Sequence, residues 1–434
     1  MDADRNEKFI IQGLGGAPAL RGAIPVRGAK NAALKALAAS LLFKNTVVVR
    51  NVPEIEDIAR AMELLTALGA QVVKTAARTY AITAPRAPVS ALPDAIANRL
   101  RASIVFAGPL LARTGKVSFP HPGGCLIGAR PIDLFLEGFQ KMGARVREKG
   151  GRYEIEAFGG ALSGAKIFFK KPSVTATETL MMAAVAARGT TVIKNAAMEP
   201  EIPALAEFLN KSGAKIAGAG TPVITIKGTG LLTAKKPFTT PPDRIEAGSF
   251  LILGALAARD LIIMDCDPAH LESPIEHLRA MGVTIETGKN TLRVTNPPRR
   301  RAFRSSDIAT HEYPGFPTDL QAPMTVLLSQ AEGRALVFET IFEGRFRHLD
   351  ALQKMGAKIE VCDPHRVIVS GVAALSGRTL ESPDLRAGLA YIIAALVASG
   401  ESVIHNVYTI DRGYERIEER LRKIGADIKR TNKQ

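Results

Sequence analysis

The sequence predicts an α/β protein of two domains, each assembled from three copies of one unit, and three observations carry that reading. The first is a phrase that recurs six times: the end of a helix, a glycine, a small residue and the start of a strand. It reads Leu-Gly69-Ala-Gln-Val, Met-Gly143-Ala-Arg-Val, Ser-Gly213-Ala-Lys-Ile, Met-Gly282-Val-Thr-Ile, Met-Gly356-Ala-Lys-Ile and Ile-Gly425-Ala-Asp-Ile, and the glycines lie 74, 70, 69, 74 and 69 residues apart. Each follows an amphipathic segment, such as Asp57–Leu68 or Tyr414–Ile424, where a helix ends on a glycine. A near-constant period along the whole chain is an internal repeat, not an accident of composition. The other two observations are a buried helix in every unit and a polar cluster at the start of each of those helices.

The inner helices are the Ala/Leu-rich segments Ala32–Phe43, Ser103–Ala112, Thr177–Ala187, Gly248–Ala258, Gln321–Ser329 and Ala387–Ala398. They are apolar around most of their circumference, which places them inside a domain. In most units a glycine and a β-branched run follow, as in Thr190-Thr-Val-Ile-Lys-Asn195, Ala335-Leu-Val-Phe-Glu-Thr340 and Glu401-Ser-Val-Ile-His-Asn406. Such runs are strands. A unit therefore reads as inner helix, strand, surface helix and further strands. Six units in a chain of 434 residues make two domains of three. Neither a Rossmann fold nor a barrel of eight repeats gives this count.

Polar residues precede every inner helix. They are Gly28-Ala-Lys30-Asn31, Arg101-Ala-Ser103, Lys170-Lys171-Pro-Ser173-Val-Thr175-Ala-Thr-Glu178, Asp243-Arg244-Ile-Glu246, Phe316-Pro-Thr318-Asp319-Leu-Gln321 and Asp384-Leu-Arg386. Thr175-x-x-Glu178 and Thr318-x-x-Gln321 have the spacing of a capping box. Lys and Arg at a helix start oppose the helix dipole, so local stability does not explain them. Cations at five of six equivalent starts point to a shared, strongly positive anion site.

Composition narrows the class. The chain is 46% hydrophobic but only 5% aromatic, a globular protein rich in small aliphatics. Its first residues lack the apolar core of a signal peptide, and its longest apolar runs are too short to span a bilayer. A cytoplasmic protein is expected, with no membrane partner. Cys125, Cys266 and Cys362 are far apart, without metal-ligand or disulfide spacing. Cys266 and Cys362 sit in apolar strand-like contexts and read as buried, inert thiols. The net charge of +15 calls for an anionic partner. The basic cluster Pro298-Arg-Arg-Arg-Ala-Phe-Arg304 carries no interleaved aromatics or nucleic-acid signature, so it reads as a solvated turn and no nucleic acid is expected.

Cys125 differs from the other two cysteines. It ends the glycine-rich stretch His121-Pro-Gly-Gly-Cys125 and is followed by Leu-Ile-Gly-Ala-Arg130, with no strand periodicity. Exposure and nearby cations lower a thiol from its usual pKa of about 8.5 toward neutrality. An acid works best with a pKa near the working pH, so this thiol suits proton donation.

At this point the residues resemble a known family, the enolpyruvyl transferases that act on UDP-N-acetylglucosamine, within the EPSP synthase group. The resemblance is carried by Arg27-Gly-Ala-Lys-Asn-Ala-Ala33, Pro122-Gly-Gly-Cys-Leu-Ile-Gly-Ala-Arg-Pro-Ile-Asp133, Pro242-Asp-Arg-Ile-Glu-Ala-Gly248, Tyr313-Pro-Gly-Phe-Pro-Thr-Asp-Leu-Gln321, Glu339-Thr-Ile-Phe-Glu343 and Ile410-Asp-Arg-Gly-Tyr-Glu-Arg-Ile417. These run in the family's order over essentially the whole chain. The resemblance implies two inside-out α/β barrel domains of βαβαββ-type repeats, with residues 30–241 forming the domain that carries the Cys125 loop. Residues 1–29 and 242–434 then form the other, with the active site in the cleft between them. It implies transfer of the enolpyruvyl group of phosphoenolpyruvate to the sugar 3′-hydroxyl through a tetrahedral intermediate, the first committed step of peptidoglycan synthesis. No cofactor and no metal are expected, and the chain is expected to act as a monomer.

The same resemblance assigns roles residue by residue. Cys125 is the proton donor, open to covalent capture by phosphoenolpyruvate or by fosfomycin. Lys30, Asn31, Arg130 and Arg412 surround the phosphoenolpyruvate anion. Asp319 stands at the sugar hydroxyl as candidate base. Arg101, Arg130, Pro131, Ile132, Asp133, Leu134, Lys171, Ser173, Val174, Asp319 and Ile341 hold the nucleotide sugar, and Arg345, Asp384 and Arg386 are further cleft residues. The chain departs from the family's usual residues at Lys35, where Pro is common, at Phe135, where His is common, and at Thr175, where Gly is common. A sibling transferase acting on shikimate 3-phosphate lacks the Pro-Gly-Gly-Cys loop and carries a Gly-Asn-Ala-Gly-Thr motif that this chain does not contain.

Overall fold

The computed structural model describes residues 7–121, 128, 131–297 and 303–432. Cys125 and Arg130 therefore lie outside the described residues, as does most of the basic cluster at 298–304. The chain forms two compact units. It passes from the first to the second between Arg27 and Gly28 and returns between Pro241 and Pro242.

Each unit holds three inner helices. Between Gly28 and Pro241 they are α1 (Lys30–Ala39), α2 (Ala107–Thr114, entered through the 3-10 turn Arg101–Phe106) and α3 (Val174–Ala186). In the other unit they are α4 (Arg244–Ala257), α5 (Gln321–Leu328) and α6 (Leu385–Val397). From Ile245 to Ala257 every residue of α4 is buried, and so is every residue of α6 from Arg386 to Val397. Within their unit, α4, α5 and α6 pack on one another. In the other, Gly108 of α2 lies so close to α3 that a Cβ there would come within 2.4 Å of the Thr179 carbonyl oxygen.

Around these helices one strand order recurs. In the sheet of α3 it is Lys215–Ala217, Val223–Lys227, Thr190–Lys194 and Lys166–Phe168. The strand before the inner helix pairs in parallel with the strand after it, and an antiparallel hairpin completes the sheet. The sheets of α1, α4, α5 and α6 repeat this order, and in that of α2 a single bridge, Ala91 to Ser118, replaces the first strand. The chain ends exchange strands to achieve it. Glu7–Gln12 pairs with Glu401–His405 and Ile428–Asn432 to complete the α6 sheet. Leu20–Pro25 supplies the parallel strand before α4, and Phe238–Thr239 supplies the one before α1.

All six repeat glycines have left-handed φ, from 82° at Gly143 to 112° at Gly356, a region closed to most side chains. Four of the inner helices start earlier than the apolar pattern does, by two residues at Lys30 and Leu385, three at Val174 and four at Arg244, while α5 starts at Gln321 as expected. Their first turns are polar, so hydrophobic periodicity misses them.

Two local expectations are corrected. Neither capping box forms. The cap of α3 is Ser173, whose Oγ accepts from Ala176 N at 3.3 Å, while Glu178 turns to Lys35. Thr318 donates to Glu339 Oε2 at 2.9 Å, and Gln321 donates to Thr325. Cys362 is exposed, unlike Cys266, because strand alternation places it with Lys358 and Glu360 on the outer face, opposite the buried Ile359. Burial pushes the Cys266 thiol up to about 11, which keeps it protonated and inert.

Candidate functional site

In the unit spanning Gly28 to Pro241 the named residues gather at helix starts. Gly28 abuts Asn51 so tightly that a Cβ would stand 1.8 Å from the Asn51 carbonyl oxygen, which makes glycine obligatory just before Lys30. The N-terminus of α1 has no side-chain cap, leaving first-turn N–H groups for an anion. Lys30 is nearly buried and its Nζ lies 3.0 Å from Asp57 Oδ2, while Asn31 is half-buried beside it. Arg101 opens the turn before α2. Ser173 caps α3 and Val174 is its first residue, with Lys171 exposed ahead of them. Pro131 is exposed, Ile132 is buried at the start of the helix Asp133–Lys141, Asp133 is exposed in its first turn and Leu134 is half-buried. Phe135 is buried in the hydrophobic core.

In the other unit the centre is Asp319, in the 3-10 turn Thr318–Leu320 ahead of α5. Arg345 Nη2 lies 2.5 Å from its Oδ1 and Arg386 Nη2 lies 3.1 Å from its Oδ2. Each carboxylate oxygen thus has its own guanidinium as a charge-assisted partner. Both arginines are themselves fixed: Arg345 donates to the Thr318 carbonyl, and Arg386 Nη1 donates to Tyr414 OH at 3.0 Å. Asp384 caps α6, accepting from Arg386 N at 2.8 Å and Ala387 N at 3.1 Å. Ile341 N donates to Glu339 Oε1 at 2.9 Å, the same carboxylate that holds Thr318. Arg412 ends the one-turn helix Tyr408–Asp411. Behind Arg345, His348 is fully buried, and burial pushes it down to about 4, so it is neutral at neutral pH.

The structure thus brings Asp319, Arg345 and Arg386 into one bonded cluster and assigns Asp384 a capping role. It also tempers the expected positive field, because acids accompany the helix-start cations: Asp57 at Lys30 and Asp319 at Arg386. Sequence reasoning missed Asp57, Glu339 and Tyr414 as partners. Glu339 and Tyr414 stand within quoted motifs, which was a usable signal. Asp57 looked like the surface of an amphipathic helix.

The EPSP synthase (3-phosphoshikimate 1-carboxyvinyltransferase) family matches residues 15–421. Proteins named UDP-N-acetylglucosamine 1-carboxyvinyltransferase are similar over 98% of this chain and 96% of their own length, at 45% identity in Koribacter versatilis and 46% in Acidobacterium capsulatum. Among solved structures, the enolpyruvyl transferase NikO from Streptomyces tendae has a TM-score of 0.87 at 24% identity, covering 98% of this chain and 99% of its own. An EPSP synthase from Acinetobacter baumannii has a TM-score of 0.73 at 19% identity, covering 98% of this chain and 100% of its own. These two likenesses show the fold. No helix among the described residues is long and apolar enough to cross a membrane. With its six-fold repeat, its family match and relatives this similar over nearly its whole length, the chain belongs to the EPSP synthase family, among the UDP-N-acetylglucosamine 1-carboxyvinyltransferases.

Proposed function

We propose that this chain transfers the enolpyruvyl group of phosphoenolpyruvate to the 3′-hydroxyl of UDP-N-acetylglucosamine and releases phosphate, the first committed step of peptidoglycan synthesis. The observation that carries this reading is 45–46% identity with relatives of that name over 98% of the chain. The chemistry needs a proton for the methylene carbon, an acceptor for the hydroxyl proton, and cations for carboxylate and phosphate. Cys125 supplies the proton as the hydroxyl oxygen adds to C2, giving a tetrahedral intermediate. Asp319, paired with Arg345 and Arg386, is the candidate base and takes the hydroxyl proton as the oxygen attacks. The Cys125 thiolate then takes back a proton from the methyl carbon as phosphate leaves C2, which restores the alkene, and the phosphate carries off the proton held by Asp319. Lys30, Asn31, Arg130 and Arg412 bind the phosphoenolpyruvate anion, helped by the uncapped start of α1. Arg101, Pro131 to Leu134, Lys171, Ser173, Val174 and Ile341 hold the nucleotide sugar. In this reading the chain acts as a cytoplasmic monomer.

The test is phosphate release from phosphoenolpyruvate with UDP-N-acetylglucosamine, set against shikimate 3-phosphate. Release with the first acceptor alone is expected, and release with the second alone overturns the reading. Fosfomycin is expected to add one covalent mass to the peptide containing Cys125, and Cys125→Ser to abolish turnover. An adduct on Cys266 or Cys362 instead removes the role given to Cys125.

A further inference from the structure

We propose that Arg430, in the last strand of the chain, is a positioning residue for Arg412 and fixes how that guanidinium meets the phosphoenolpyruvate anion. The inference rests on the reading of Arg412 given above.

Arg430 lies in Ile428–Asn432, paired across the ladder with Phe9, and its guanidinium sits 5.0 Å from the centre of the Phe9 ring. Its five N–H donors make five bonds to three carboxylates. Nη1 and Nη2 grip Asp411 at 2.8 and 2.7 Å, Nε and Nη2 reach Glu418 at 2.8 and 3.1 Å, and Nη1 reaches Glu7 at 2.5 Å. These acids come from three segments: the strand Glu7–Gln12, the helix Tyr408–Asp411 and the helix Ile417–Arg422. A lone arginine saturated in this way is a joint, since every donor of the planar fork has a fixed direction.

The joint matters because Asp411 is the chain neighbour of Arg412, whose backbone N–H donates to the Tyr408 carbonyl at 3.2 Å. A one-turn helix has no stability of its own, so its placement is set by what it touches. It packs against the start of α6, where a Cβ on Gly388 would come within 2.5 Å of Ile410 Cγ1 and one on Gly413 within 2.6 Å of Leu385 Cδ1. Those contacts set the depth of the turn, and the two-point grip of Arg430 on Asp411 sets its rotation. The grip also has an electrostatic side. The three carboxylates outnumber Arg430, so their formal sum with it is −3 + 1 = −2. Without Arg430, three carboxylates stand close to an anion-binding arginine, and Asp411 turns to Arg412 as the adjacent cation in the chain.

The experiment is steady-state phosphate release by the full chain, with each substrate varied at saturation of the other. Arg430→Gln is expected to raise KM for phosphoenolpyruvate by about tenfold or more, the scale of one charge interaction, with KM for UDP-N-acetylglucosamine within about twofold. Adding Asp411→Asn to Arg430→Gln is expected to recover much of that loss, because the competing charge is gone. Equal movement of both KM values, or no recovery in the double variant, overturns the proposal. If Arg430→Gln does not fold, Arg430→Lys takes its place; it keeps the charge but has three donors instead of five, and wild-type KM for phosphoenolpyruvate in it overturns the proposal. Arg412→Lys separates this inference from its foundation. If that change leaves KM for phosphoenolpyruvate unaltered, the reading of Arg412 fails; if it raises KM while the Arg430 variants do not, the positioning role alone fails.

Discussion

Asp319 and Glu178 are both carboxylates held by cations near the starts of inner helices, Asp319 in the turn ahead of α5 and Glu178 in the second turn of α3, yet their surroundings differ in kind. Each oxygen of Asp319 has its own guanidinium, and its side chain keeps 28% of its surface open. Glu178 is fully buried. Lys35 Nζ stands 2.8 Å from its Oε2, but neither carboxylate oxygen has an aligned hydrogen bond, and Glu199 and Glu201 add like charge. Burial pushes Glu178 up to about 7 against the pull of Lys35. The difference teaches what a buried charge is for. A carboxylate that is bonded on both oxygens and still open can receive a ligand. One that is closed in and half-satisfied carries a desolvation cost with no chemistry in return.

The comparison breaks most sharply at Asp319. Asp319→Asn keeps the shape and removes the charge, and kcat is expected to fall by roughly 10²–10⁴, the usual weight of a positioned acid–base group. The measurement is kcat beside a thermal melt. A loss of turnover no larger than the loss of folded protein would make Asp319 a structural counter-ion like Glu178. The smaller effect is at Lys35. Lys35→Met strands a buried carboxylate and is expected to cost about 3 kcal/mol, somewhat eased by protonation of Glu178. Lys35→Met with Glu178→Leu is expected to be neutral or more stable by ~1–4 kcal/mol, with phosphate release retained. Urea midpoints and slopes decide it, and a double variant less stable than the single one would show that the pair stabilises the fold.

Much of this was legible in the chain, and the failures have a common cause. The six glycines and inner helices are local patterns, and the structure reproduces them. The cluster around Asp319 was half legible: Arg345 and Arg386 were named, but not as its two partners, because Arg345 lies far along the same repeat and Arg386 in the next. The supposed box at Thr175 and Glu178 failed because Ser173 caps first and Lys35, on another helix, claims the glutamate. Cys362 looked buried from its apolar neighbours, but it shares the outer face of its strand with Lys358 and Glu360. Nothing in the sequence singles out Arg430, and only the pairing of the first strand with the last shows it as a joint. Spacing within a helix is visible in a sequence, whereas charge pairing across repeats is not.

The smallest expected effect is also the most specific to Glu178, because it depends on pH. Its pKa rises on folding from the ordinary 4.5 to about 7, so between those values the folded chain holds more protons than the unfolded one. Stability then falls as pH rises through that window and is level above it. His348 has the opposite sign: burial lowers it to about 4, and its contribution is lost as pH falls below about 6.5. Both slopes operate in the unaltered chain, so its raw stability curve hides them. The Lys35→Met, Glu178→Leu double variant keeps His348 and loses Glu178. Its stability relative to the unaltered chain is therefore expected to grow by about 1 kcal/mol between roughly pH 5 and pH 7.5, the weight of one pKa unit surviving relaxation. A difference that stays flat across that range would mean that Lys35 holds Glu178 ionised throughout, and the contrast with Asp319 would then be one of exposure alone.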